Sequence, residues 1–339
     1  MLEHGGKLIQ AARRYNIPIE DWLDLSTGLN PRPWPVTRIP IDSWSRLPEE
    51  DDGLLQAACS YYGSEHLLPV AGSQAAIQAL PRLRKQPSRI AILDPAYAEH
   101  AHAWQTAGFT IIPVSSAEID EAAKHHDVIV LVNPNNPTGE RFSVEQCLHW
   151  QSQLQQRDGW LVVDEAFIDS TPENSLVAHT HQKGLIVLRS LGKFFGLAGI
   201  RMGFVFAEST LLTHLSDMLG PWPISGPSRF VARLALLDTE WHTETREYLK
   251  HHAEPRLHKL LDAQGHTPSG GSALFQWVKT IDACIIHEQL ARSGILTRLF
   301  HQPASLRFGL PEAEQQWLRL EQVLFSLAID RQLKGGQLS

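Results

Sequence analysis

Four short segments of the 339-residue chain carry residue types whose spacing suits chemistry. In Ala71-Gly72-Ser73-Gln74-Ala75-Ala76 a glycine turn opens a helical pattern. The free backbone N–H groups of such a helix start, with the Ser73 hydroxyl, form a cup for a phosphate; an ordinary capped helix reads the same way. The heptapeptide Asn133-Pro134-Asn135-Asn136-Pro137-Thr138-Gly139 follows the most apolar run of the chain, Val128-Ile-Val-Leu-Val132. Its two prolines and glycine freeze a turn that presents an amide side chain in a fixed place. Trp160-Leu-Val-Val-Asp164-Glu165-Ala166-Phe167 reads as a buried strand ending in a carboxylate with no cation near it in sequence. An unpaired buried carboxylate is costly, so Asp164 either meets a positive group brought from elsewhere or caps a turn. The fourth segment runs Ser190-Leu-Gly-Lys193-Phe-Phe-Gly196-Leu-Ala-Gly199-Ile-Arg201-Met-Gly203. A lysine among aromatic residues and glycines suits a desolvated, nucleophilic amine able to form a Schiff base. A nucleotide P-loop at Gly192-Lys193 is excluded, because Phe194 stands where that motif requires Ser or Thr.

The elements that must position these segments alternate along the chain. Strands are expected at 89–94, 109–114, 127–133, 160–164, 184–190 and 202–207, and helices at 73–83, 99–107 and 143–156. Apolar strands alternating with helices predict a mostly parallel sheet with helices on both faces, which places a site at the strand ends. Residues 1–40 hold a short amphipathic helix at 2–15 and then a proline-rich stretch. From Pro227 to about Gln264 the pattern is helical, followed by strand–helix–strand–helix. The expected organisation is an α/β domain over 41–225 and a smaller α+β domain built from 1–40 and 226–339, with a frayed tail at 333–339.

Composition narrows the function classes. Hydrophobic residues make up 43% and charged residues 20%, which excludes intrinsic disorder. A net charge of −7 gives no electrostatic case for nucleic acid or an anionic membrane surface. No run reaches the length of a membrane span, and the N-terminus lacks a secretory pattern, so the expected location is the cytoplasm. Cys59, Cys147 and Cys284 lie far apart and are expected to be buried, unpaired thiols. Of the 17 histidines, His242, His251, His252 and His258 fall on a charged helical stretch, read as a solvated face; no metal-binding spacing occurs. His100 and His102 flank Tyr97 and either enter the cleft or lie on a helix surface. His4 stands out because Gly5-Gly6 beside it lets the backbone approach a ligand closely.

Taken in order, the four segments resemble those of the fold type I pyridoxal-phosphate enzymes, the aspartate aminotransferase superfamily. The likeness runs from about residue 24 to residue 325 and falls nearest the histidinol-phosphate aminotransferase-like group, which includes the threonine-phosphate decarboxylases of cobalamin biosynthesis. His4-Gly5-Gly6, Asp24-Leu-Ser-Thr-Gly-Leu-Asn30-Pro31, and Phe167 in place of the usual tyrosine point to the decarboxylase branch. The resemblance implies pyridoxal 5'-phosphate held on Lys193, with Asp164 on the pyridine nitrogen, Asn136 on the ring hydroxyl and Tyr97 on the ring face. It assigns the cofactor phosphate to Gly72, Ser73, Gln74, Ser190 and Arg201. Arg307 matches the substrate-carboxylate arginine, and Arg298, His4 and Asn30 match further substrate contacts.

The activity so implied is decarboxylation of L-threonine O-3-phosphate to (R)-1-amino-2-propanol O-2-phosphate by a homodimer. A histidinol-phosphate or related aminotransferase is the alternative, and a silent binding partner in cobalamin assembly is a third. Two residues depart from the family pattern. Phe167 lacks the phenol that would donate to the ring oxygen, and Leu47 stands where relatives carry a tyrosine that reaches the cofactor phosphate across a dimer.

Overall fold

The computed structural model describes residues 4–335. The chain divides into two compact units, one of residues 33–136 and 140–246, the other of residues up to 32, 137–139 and 247 onward. In chain order the strands are β1 (Leu23–Asp24), β2 (Leu67–Val70), β3 (Ile90–Leu93), β4 (Ile111–Val114), β5 (Val128–Val132), β6 (Trp160–Asp164), β7 (Leu185–Ser190) and β8 (Gly203–Phe206). They continue with β9 (Gly270–Ser272), β10 (Phe275–Lys279), β11 (Ile295–Leu296), β12 (Arg298–His301) and β13 (Ala304–Gly309).

The larger unit is built on one seven-stranded sheet in the order β2-β8-β7-β6-β5-β3-β4. Neighbours from β4 to β7 run parallel, while β8 is antiparallel to both β7 and β2. Both faces are covered, which is why β5 is buried at every residue and reads as an unbroken apolar run. On one face Ile90, Ile92, Val128, Val130, Val162, Ile186 and Leu188 pack with residues of helices Ser73–Leu83 and Ala98–Thr106. Helix Val144–Gln155 also packs on β6 and starts with a capping box, Ser143 and Gln146 each satisfying the other's backbone N–H. Both edge strands carry a proline, Pro69 and Pro113, which removes a donor from an exposed ladder.

The smaller unit contains an antiparallel sheet in the order β12-β13-β10-β9, and β1 pairs in parallel with β11. Helices Glu254–Ala263, Ala283–Arg292 and Glu314–Gly335 belong to it. No helix among the described residues is long and apolar enough to cross a membrane.

All six expected strands form, within two residues of their expected ends. Several other expectations are corrected. The unit boundary lies outside 41–225, because residues 33–40 and 226–246 join the larger unit. Trp34 Nε1 donates to Asp238 at 3.0 Å, and Arg229 grips Asp52 with two bonds of 2.6 and 2.8 Å. The first helix spans Leu8–Tyr15 rather than 2–15; residues 1–3 and 336–339, with most of the expected frayed tail, lie outside the described residues. Helical segments do follow Pro227, but each strand expected afterwards is a hairpin, β9–β10 and β12–β13. His242 is buried, its ring bonded to Ala235 O at 2.7 Å, whereas His251, His252 and His258 are exposed. Cys147 is buried as expected, Cys59 is half-buried and Cys284 is exposed.

Trp104 lies 2% exposed under the sheet, edge-on to Phe109 at 5.1 Å. Trp104→Ala is expected to cost about 3–5 kcal/mol, read as a lower denaturant midpoint for the wild-type-like far-UV signal. An unchanged midpoint would contradict this packing.

Candidate active site

Strand register gathers the sequence-selected residues of the larger unit at one edge of its sheet. Across three neighbouring strands Val70 lies opposite Gly203, and Gly203 opposite Ser190. Gly72-Ser73 therefore leaves β2 where Arg201 enters β8 and where β7 ends at Ser190. A Cβ placed on Gly72 would stand 2.8 Å from Arg201 Nη2, and one on Gly203 would stand 2.7 Å from Ser73 N. Both glycines are thus required by close approach, and Gly72 also has φ +73°. Arg201 itself has φ +50°, a conformation rare for a residue with a side chain and found where a site fixes the backbone. A guanidinium set against the bare start of helix Ser73–Leu83 makes an anion cradle. Its shape and charge fit the phosphate of the cofactor implied by the sequence.

Further along the same edge, Val132 lies opposite Asp164, and Asp164 opposite Leu188. Asp164 is 3% exposed and His100 is 2% exposed; their Oδ2 and Nε2 atoms are 3.0 Å apart. Asp164 Oδ1 accepts the Ala166 N–H at 3.0 Å. Asp164 thus meets a ring nitrogen of His100, on the helix Ala98–Thr106, and also caps the turn that follows through the Ala166 N–H. The carboxylate is fixed in orientation by both oxygens. Tyr97, at the cap of that helix, has its ring edge-on to His100 at 6.1 Å, and its hydroxyl donates to Gln74 Oε1 at 3.3 Å. Burial, then Glu99 and Asp164, pushes the Tyr97 phenol up to about 12, so it stays protonated at neutral pH. Gln74 Nε2 donates to Glu99 Oε2 at 2.8 Å, which engages one of its two N–H groups.

Lys193 is half-buried, with Nζ 5.3 Å from the centre of the Phe167 ring. The amine thus meets an aromatic face at the position where a phenol is usual in the family. The loop that carries it is pinned at both ends, Gly192 N–H donating to Ser190 Oγ at 3.2 Å and Gly196 N–H to Lys193 O at 3.1 Å. The 133–139 turn is frozen as its sequence implied. Asn133 exchanges two bonds with the Phe142 backbone, of 2.9 and 3.0 Å, and Asn135 Nδ2 donates to Pro95 O at 2.8 Å. Asn136 is half-buried beside them.

The remaining selected residues, His4, Asn30, Arg298 and Arg307, form a second group within the smaller unit. Arg298 and Arg307 are direct partners across the β12–β13 ladder. Like charges directly opposite destabilise a sheet, so this pairing has to be held against its own repulsion. Arg307 is 5% exposed; its Nη2 donates to Ser26 O at 2.7 Å, and its guanidinium faces the Phe275 ring at 5.1 Å. Burial, with Arg298 beside it, pushes Arg307 down to about 9. A desolvated cation next to another cation gains strongly from an incoming anion. His4 and Arg298 line one cavity of about 420 Å³, with Lys7, Thr297 and His301 also on its wall. Asn30 is buried and accepts the Arg32 N–H at 3.0 Å, which makes it a turn former and leaves it outside that cavity wall. Gly5 and Ser26 lie on the same cavity wall, and the two glycines Gly5 and Gly6 pack closely there. Their close approach is to Ser26, whose carbonyl a Cβ on Gly5 would meet at 2.2 Å and whose Oγ accepts the Gly6 N–H. Leu47 is 64% exposed. No group of three or more metal-ligating side chains is present among the described residues.

His100 was one of two readings left open by the sequence, and its signal was position one helical turn after Tyr97. Arg189, which joins two buried carboxylates beside the site, was missed; a lone arginine inside the apolar strand β7 was the available sign.

The cradle generates a direct expectation. Arg201→Ala removes a charge-assisted bond worth roughly 1.5–3 kcal/mol, so pyridoxal-phosphate affinity should fall about 10–150-fold by fluorescence titration. Affinity within twofold of wild type would show that Arg201 does not hold the phosphate.

Residues 48–320 match the family described as aminotransferase class I and II. The chain is 55% identical to a threonine-phosphate decarboxylase of Pseudomonas aeruginosa, over 96% of this chain and 97% of that one. It is 41% identical to a threonine-phosphate decarboxylase of Sinorhizobium sp., covering 91% and 94%. Histidinol-phosphate aminotransferases are more distant, at 28% identity for that of Shewanella amazonensis, covering 87% and 84%. Among solved structures, the histidinol-phosphate aminotransferase of Clostridium acetobutylicum superposes with a TM-score of 0.80 at 20% identity, covering 91% and 99%. That of Sinorhizobium meliloti, in complex with pyridoxal-5'-phosphate, has a TM-score of 0.77 at 18% identity, covering 96% and 88%. Fold and sequence agree: the chain belongs to the aminotransferase class I and II family.

Proposed function

We propose that this chain decarboxylates L-threonine O-3-phosphate to (R)-1-amino-2-propanol O-2-phosphate, using pyridoxal 5'-phosphate, as a step of cobalamin biosynthesis. The observation that carries the reading is the cross-strand pair of Arg298 and Arg307, a receptor suited to a substrate with two anionic groups. The names of the relatives at 55% and 41% identity support the choice of substrate.

When bound, pyridoxal phosphate supplies an aldehyde that takes up an amine and a ring that accepts the electron pair released at the neighbouring carbon. Lys193 tethers that aldehyde and later delivers a proton to the substrate Cα. Asp164, oriented by His100 and the Ala166 N–H, holds a proton on the pyridine nitrogen. Asn136 serves the ring hydroxyl and Tyr97 the ring face, while Gly72, Ser73, Gln74, Ser190 and Arg201 hold the phosphate.

Arg307, Arg298 and His4 receive the substrate's carboxylate and phosphate, with Asn30 shaping the turn beside them. Arginine suits this work because its planar fork meets carboxylate and phosphate oxygens in pairs. An anchored phosphate fixes the rotation of Cα and so selects which of its bonds breaks. The Cα–carboxylate bond breaks, carbon dioxide leaves, and the proton from Lys193 takes its place; no oxidant or amino acceptor is consumed. An aminotransferase must instead release a Cα proton and hand its amino group to a second substrate. The enzyme works in the cytoplasm as a homodimer, a reading supported by the exposed apolar side chains Val36, Ile41, Trp44 and Leu47.

The test is threonine phosphate with cofactor-loaded protein and no keto acid. Carbon dioxide release should continue over many turnovers, and Arg307→Ala should lower kcat/KM about 10–150-fold, the worth of one charged hydrogen bond. Conversion of the cofactor to its amine form, with turnover only after 2-oxoglutarate is added, would favour the aminotransferase instead.

A further inference from the structure

Beside the Lys193 loop lies a buried ionic cluster that the proposed chemistry leaves unused. Arg189, which precedes Ser190, is 2% exposed, and Glu165 and Asp169 are both 0% exposed. Arg189 Nη2 donates to Asp169 Oδ1 at 2.5 Å, and Nη1 donates to Ser175 Oγ at 3.0 Å and to Glu165 Oε2 at 3.4 Å. Glu165 also accepts the Ser175 hydroxyl at 2.5 Å and the Leu176 N–H at 2.8 Å. Asp169 accepts the Tyr61 hydroxyl at 2.9 Å, and Arg246 donates to Asp169 O at 2.9 Å and to the Tyr61 oxygen at 3.2 Å. The Arg189 guanidinium lies over the Tyr62 ring at 4.7 Å. Burial raises the Glu165 carboxyl above its usual range, with Arg189 opposing the rise, and burial also raises both tyrosines.

Buried ion clusters are a poor source of stability, since apolar replacements of similar volume often do as well or better. What this one supplies is geometry. The β6–β7 register ends at Asp164 opposite Leu188, with the Glu165 N–H donating to Leu188 O at 2.9 Å. Beyond that point β6 turns through residues 166–170 while β7 continues toward Lys193. The fork of Arg189 reaches across the parting strands to Glu165 and Asp169. Those two residues bracket Phe167, whose ring faces Lys193 Nζ. Asp164 is bonded in sequence to one end of this bridge and Ser190 to the other.

We propose that Arg189 is a positioning residue, a buried clamp that sets Asp164, Phe167 and Lys193 in register with one another and acts on the reaction only through them. The proposal rests on the pyridoxal-phosphate reading of this site. A shift of about an ångström in reacting groups can cost on the order of 100-fold in rate, so a clamp with one pairing lost should be visible in kcat.

The test compares wild type with Arg189→Lys, which keeps the charge and loses the fork, and with Glu165→Gln, which keeps the side-chain shape and one acceptor oxygen but replaces the other oxygen with an NH2 donor that cannot pair with Arg189. All three proteins are loaded with pyridoxal phosphate and followed in two ways. The first is the pH at which the visible absorption band changes, which needs no substrate. The second is steady-state kinetics with threonine phosphate. Both variants are expected to retain the visible band, to shift its titration in the same direction, and to lose about 10–100-fold in kcat with KM within about twofold. If either folded variant titrates and turns over like wild type, Arg189 is scaffold and the proposal is overturned. Should Arg189→Lys fail to fold, Glu165→Gln decides alone by the same two readouts. A wild-type protein that shows no visible band would instead refute the cofactor reading, a separate outcome.

Discussion

The buried contact between Asp164 and His100 is the constraint on which the rest of the larger unit is organised. Neither side chain belongs in an apolar sheet edge by itself, since each would lose hydration there without compensation. Together, 3.0 Å apart and nearly inaccessible, they satisfy each other and fix an acidic oxygen at the end of a central parallel strand. Helix Ala98–Thr106, which carries His100, covers that face of the sheet with Trp104 and Ala103 as its apolar seat. It also sets Tyr97 one turn away. The glycine approach at Gly72, the left-handed Arg201 and the pinned Lys193 loop are arranged along the same strand ends.

The two units divide the chemistry. The larger carries every residue assigned to the cofactor, and the smaller carries the cationic residues assigned to the substrate's anions. Each assignment has its own physical signature. In the larger unit it is a carboxylate oriented by two partners and an anion cradle built of the Arg201 guanidinium and a helix start. In the smaller it is a buried guanidinium set opposite another arginine on the neighbouring strand.

Much of this was legible in the sequence, and what was not has identifiable causes. Runs such as Val128-Ile-Val-Leu-Val132 announce doubly covered strands because burial on both faces erases alternation. The β2 strand carries no such mark, being a short edge strand interrupted by Pro69 and half-buried for most of its length. His100 could be flagged from its spacing to Tyr97, yet its partner is 64 residues away and no local pattern announces it. Arg189 was passed over because the apolar strand around it reads as core, and its two carboxylates come from a neighbouring strand and turn. His242 was misjudged for a related reason. A helical stretch rich in charge still buries one stripe, and that histidine lies on the stripe. Gly5-Gly6 signals a close approach, but sequence does not say to what; the pair packs on Ser26, on the wall of the cavity beside His4.

The central claim is that Asp164, held by His100, keeps a proton on the ring nitrogen of bound pyridoxal phosphate. The direct measurement is the nitrogen-15 chemical shift of ring-labelled cofactor on the wild-type protein and on Asp164→Asn, each across the pH range in which the protein stays folded. The account predicts a protonated nitrogen in the wild type throughout neutral pH, and an unprotonated one in the variant with the cofactor still bound. An unprotonated nitrogen in the wild type, or identical shifts in the two proteins, would contradict it.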